Sequence, residues 1–172
     1  MSKHRGIASI LALFVIALAA AALTACGEGN SSAAERFGEE TDSGLVAFGA
    51  EGSDGEREQA TETVSEFLAA RSAGDWKTAC EQIASSMVDK LEHLATTSTS
   101  LDDKSCASFL AAFVQLSSEE LSEKEVGEAA LRRSGKKGFL IYFGADEVVR
   151  AMPLEMDDDE WKVAAVSAKQ LS

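Results

Sequence analysis

After Glu125 the spacing of apolar residues changes from about 3.6 to about two. This change constrains the fold more than any other feature, because a stretch patterned for a helix does not settle as a strand, nor the reverse. Upstream, in REQATETVSEFLAARSAGDW, Ala60, Val64, Phe67, Leu68 and Arg71 share one helical face. Ala73-Gly74 ends that helix, and Asp75 is a natural N-cap for the next. WKTACEQIASSMVDKLEHLA predicts a second amphipathic helix carrying Trp76, Cys80, Ile83, Met87, Leu91 and Leu94. A polar loop, TTSTSLDDKS, leads to a third and more apolar helix, CASFLAAFVQL, and SSEELSEKE is a short connector.

Downstream, four strands are predicted at about 126–133, 138–144, 147–155 and 160–168, separated by the turn signals SGKKG, GAD and DDD. In the second, Phe139, Ile141 and Phe143 lie on one face and Leu140 and Tyr142 on the other. Short connections favour an antiparallel meander. Pro153 cannot donate to a ladder, so it predicts an edge or a bulge in the third strand. Three helices followed by a four-stranded antiparallel sheet make an α+β domain at 57–172, with the sheet curled and the helices on its concave side. No internal repeat is visible.

The beginning of the chain reads differently. Lys3, His4 and Arg5 precede an apolar run from Ile7 to Ala25, which is the layout of an export leader and is also just long enough to span a bilayer. The segment Leu23-Thr24-Ala25-Cys26 resembles the lipobox of bacterial lipoproteins. That resemblance implies a diacylglycerol on the Cys26 sulfur and cleavage just before Cys26, with Leu23, Thr24 and Ala25 flanking the cut. Residues 1–25 are then the signal peptide, membrane lipid is a partner through acylated Cys26, and the protein sits on the outer face of the cell membrane. The alternative is an uncleaved anchor helix. One acyl chain binds a membrane only marginally, at roughly 0.8 kcal/mol per methylene, so two or three are needed for a lasting hold.

From residue 26 to 56 the chain is rich in Gly, Ser, Ala and Glu, and is expected to be a flexible acidic tether. Within it, Leu45-Val46-Ala47-Phe48 leaves open a docking patch for a partner or for the domain itself. The chain carries 16 basic and 29 acidic residues, and without Lys3 and Arg5 the balance is about −15. Such a charge repels nucleic acid and gives no electrostatic grip on anionic lipid.

Two further resemblances bear on the folded part. FLAARSAGDWKTACEQIA is similar to the first helix pair of nuclear transport factor 2-like domains, and DDDEWKVAAVSA is similar to their last hairpin. This implies a cone-shaped α+β body, shortened here because there is little room for the early hairpin many members carry between the second and third helices. Trp76, Tyr142 and Trp161 are then candidate pocket residues, although core packing is the simpler reading of each. The lipobox resemblance commits Cys26 to lipid, which leaves Cys80 and Cys106 to pair in an oxidising compartment. Small actinobacterial lipoproteins of this fold are similar in placing Cys near these helix positions. Two buried free thiols are the alternative.

Catalytic constellations are absent from the pattern. His93 reads as a surface helix residue, and no motif gives a Ser or Cys nucleophile a base. Gly135-Lys136-Lys137-Gly138 lacks the spacing of a phosphate loop and reads as a basic hairpin turn. The run Asp157-Asp158-Asp159-Glu160 lacks the alternating ligands of a calcium loop, and two Cys without a His pair fall short of a zinc set. Tyr142 and Asp146 suggest an acid–base pair facing a cone, but no family position carries over to them. The expectation is a binding or interaction module without catalysis, cofactor or metal. Its partner would be an envelope protein or a small hydrophobic ligand. The alternatives are a small isomerase or dehydratase and a structural accessory of an envelope complex.

Overall fold

A computed structural model describes residues 43–98, 101, 103–116 and 125–171. The helices are α1 (Ser43–Val46), α2 (Asp54–Ala73), α3 (Trp76–Glu81), α4 (Ser85–Thr97) and α5 (Cys106–Leu116). The strands are β1 (Ala50–Glu51), β2 (Ala129–Ser134), β3 (Lys137–Phe143), β4 (Val149–Asp157), β5 (Glu160–Val163) and β6 (Lys169–Gln170). The result is an α+β architecture with one antiparallel sheet in the order β1-β2-β3-β4-β5, and β6 also pairs with β4. Among the described residues no helix is long and apolar enough to cross a membrane.

The α2 helix forms where its stripe predicts. Ser53 caps it, its hydroxyl accepting from the Glu56 amide while the Glu56 carboxylate accepts from the Ser53 N–H at 2.9 Å. Gly74, at φ +72, closes the other end in the left-handed conformation that glycine adopts without a Cβ penalty. Ala60, Val64, Phe67 and Leu68 are fully buried against the sheet, and α2 lies on β2, β3 and β5. Thr63 donates to the Trp161 carbonyl at 3.0 Å, and the buried Arg71 donates to the Val166 carbonyl at 2.9 Å, so α2 is fastened along the last part of the chain.

The predicted second helix is two helices. The chain breaks between Glu81 and Ser85 because Ile83 pairs with Val163 at the outer edge of β5. There the Val163 amide donates to the Gln82 carbonyl at 2.8 Å and the Ala84 amide to the Val163 carbonyl at 2.9 Å. A sheet edge has replaced the intrahelical partners of these groups. Within α4 the buried stripe runs through Leu91 and Ala95, four residues apart, and Leu94, expected inside, is 49% exposed.

The sheet alternates as its period requires, and both faces are covered. Leu131, Leu140, Tyr142, Met152, Leu154, Trp161 and Val163 belong to the core beneath the helices. Ala130, Ile141, Val149 and Ala151 form a second apolar cluster with Leu171, against which Leu45, Val46, Phe139 and Phe143 pack. Part of the expected tether therefore belongs to the body. Residues 43–52 form a strap on this second face, with β1 pairing Ala50 with Arg133 and Glu51 with Arg132. The Phe48 ring meets Phe139 edge-on at 5.0 Å, and Arg132 donates to the Phe48 and Gly49 carbonyls at 3.2 and 3.0 Å. Gly49 is required, since a Cβ there would sit 2.0 Å from the Arg133 carbonyl oxygen. Polar composition misled here because three apolar side chains suffice to dock a strap on a face that already exists.

The last predicted strand ends early, at Val163, and β6 begins beyond its expected end, at Lys169. Leu154 pairs with Val163, but Ala151 pairs with Lys169, so three extra residues bulge out between β5 and β6. Pro153 lies opposite this gap, and its carbonyl accepts from the Ala164 amide at 2.9 Å. The ladder stops where the next N–H would have to come from proline. The β2–β3 hairpin turns at Gly135-Lys136, and β4–β5 turns at Asp158 and Asp159, both with positive φ as a type I′ turn requires.

Candidate functional site

The residues singled out by sequence fall into three groups. Cys26 and its flank Leu23, Thr24 and Ala25 lie outside the described residues, as do 26–42 of the tether and 117–124 of the connector. Cys80 and Cys106 form a disulfide with Cα atoms 6.2 Å apart, tying α3 to the start of α5. Tyr142 and Trp161 are fully buried core side chains beneath the helices, with Trp76 half-buried at the edge of the same cluster. None of these three lines either of two clefts that described residues form.

Asp146 engages an arginine that stands across the ladder from Tyr142. Tyr142 pairs across β3–β4 with Arg150, whose guanidinium forks onto Asp146 at 2.7 and 2.9 Å. That hydrogen-bonded guanidinium, helped by the Val148 amide, holds the Asp146 carboxyl well below the usual carboxylate range. A carboxylate so held is an ion-pair partner and a poor proton acceptor. His93 is exposed on α4. In the acidic turn, the Asp157 carboxylate accepts from the Ser85 amide at 2.8 Å, which lowers its proton affinity and caps the start of α4. Among the described residues no group of three acidic, His or Cys side chains is arranged to hold a metal ion.

The first cleft has a volume of about 270 Å³. Its walls come from α4 (Ser86, Met87, Lys90), the first residues of β3, the middle of β4, Ala164 and the strap residue Phe48. Phe48, Phe139, Pro153, Leu154 and Met87 make it apolar, and Lys90 and Lys137 add two exposed ammonium groups. Glu155 also faces it, with one carboxylate oxygen taken by the Ser86 hydroxyl at 2.8 Å. The second cleft, about 330 Å³, is polar and lies between α2 and β5. Its side chains engage one another: Gln82 donates to Glu66 at 2.8 Å, and Lys162 pairs with Glu160 at 3.2 Å.

Sequence reasoning missed the apolar cleft. Phe48 and Lys137 stand out locally, in the LVAF patch and the basic turn, but no local pattern joins five segments so far apart in the chain. No family model matches this chain, and neither a curated protein nor a solved structure is found to be similar to it.

Proposed function

We propose that this chain is an exported lipoprotein of a bacterial envelope, held by acyl groups on Cys26, whose body is a nuclear transport factor 2-like variant acting as a binding module without catalysis. The observation that carries the reading is the Cys80–Cys106 disulfide, since such bridges form and persist in oxidising compartments outside the cytosol. The apolar cleft with two cations supports binding, and the forked Asp146 weighs against acid–base chemistry at Tyr142. The family reading is supported by the long helix α2, which turns at Gly74-Asp75, and by hairpin-linked strands that follow all the larger helices.

The test is mass spectrometry of the mature protein together with membrane fractionation, for the parent and for Cys26→Ser. A diacylglycerol thioether on an N-terminal Cys26, and a Cys26→Ser chain that is no longer processed, are expected. A mature chain that retains residues 1–25, or a variant that matures and stays bound as before, overturns the reading.

A further inference from the structure

We infer that the cleft beside α4 takes a small amphipathic carboxylate, with its apolar body against Phe48, Phe139 and Pro153 and its charge between Lys90 and Lys137. This rests on the reading of the body as a binding module and names its ligand class.

Size comes first. A cavity of about 150 Å³ takes up benzene, so 270 Å³ admits one ring with a short chain. The apolar wall is suited to a ring, since Phe48 and Phe139 meet edge-on and leave the cleft bordered by aromatic carbon. Charge decides the other end. The protein is strongly acidic, yet the cations at this cleft form no ion pair among the described residues. Lys137 stands directly across β3–β4 from Glu155, the natural partner for it, but the Glu155 carboxylate turns to the Ser86 hydroxyl instead. Two ammonium groups with no ion-pair partner among the described residues, over one engaged carboxylate, favour a monoanion, and the apolar floor favours a single nonpolar body.

The test uses the full chain in lipid nanodiscs, labelled with ¹³C at the methionine methyls. The chain has four methionines; Met87 lines the cleft and Met152 is buried in the core beneath the helices. The probes are 3-phenylpropanoate and its neutral isostere 3-phenylpropanamide. The acid is expected to shift the Met87 methyl saturably and to leave Met152 in place, with the amide about tenfold weaker. Lys90→Gln with Lys137→Gln, both at exposed positions, is expected to weaken the acid about tenfold and leave the amide unchanged, as for two exposed charge contacts. Ala164→Leu, which fills the cleft, is expected to block both. Equal binding of acid and amide, or no effect of the lysine changes, overturns the inference. Binding that moves other methionines but not Met87 overturns this site while the binding-module reading stands. Binding of neither probe overturns the ligand class and leaves the lipid tether to its own test.

Discussion

Opening the Cys80–Cys106 bridge gives the most quantitative test of how the helical layer is held. The bridge spans 26 positions, and α5 otherwise rests mainly on α3 and α4. On the chain-entropy account, closing a loop of that length in the unfolded chain contributes about 3.5 kcal/mol. With a urea m-value of about 2 kcal/mol/M, the unfolding midpoint should drop by about 1.7 M. Reduction with dithiothreitol, which leaves both side chains in place, isolates this effect. Cys80→Ala, Cys106→Ala and the double variant should each lose a similar amount, since either change opens the loop. The nearly buried Cys106 adds a small packing loss when its sulfur is removed. Urea titration followed by circular dichroism reads all four, and the native spectrum should change little because the constraint acts on the unfolded chain. A reduced protein whose midpoint lies within about 0.3 M of the parent would refute the account, because roughly 0.6 kcal/mol at that m-value is far below the loop term.

Other expectations follow from single contacts. Asp159→Gly should raise stability by about 0.5–1 kcal/mol, measured by the same titration, because Asp159 sits at φ +65 in a turn that favours glycine there. Phe48→Ala should lower it by about 2 kcal/mol, less than for a fully buried Phe, and should speed hydrogen exchange at the Gly52 amide, which donates to the Leu131 carbonyl at 2.8 Å. The Asp146 carboxyl is held below its ordinary value, so its contribution is complete above about pH 4 and is lost as pH falls toward its lowered folded value. Acid titration of Asp146→Asn against the parent should therefore show a shallower loss of stability below pH 4 and parallel curves above it.

What the sequence disclosed was local, and what it hid was not. The α2 stripe, its Gly74 end and the alternation of Phe139 through Phe143 follow from spacing within one element, and the structure has them as read. The break at Gln82–Ala84 has no local cause, because nothing in that stretch disfavours helix; the edge of β5, some eighty residues later, supplies the competing hydrogen bonds. The Pro153 signal was correct in kind, but the bulge it marks appears in the strand opposite, between β5 and β6. The strap was hidden by its polar neighbours, although Leu45, Val46 and Phe48 were visible as apolar residues out of place. The Cys80–Cys106 pairing follows from the lipobox and from the likeness to small actinobacterial lipoproteins. Spacing alone left free thiols open.

The strap has a mechanical consequence. Any pull applied to the chain on its N-terminal side reaches residues 43–52 before it reaches α2. The first contacts to bear load are those of Leu45 and Val46 on the second face, then the Phe48–Phe139 contact, the Arg132 clamp on Phe48 and Gly49, and a two-residue ladder. These are few and lie near the surface, so they should yield well before α2, which packs on the other face of the sheet. Because Phe48 is also a wall of the cleft, tension would unseat that wall while the rest of the body kept its shape.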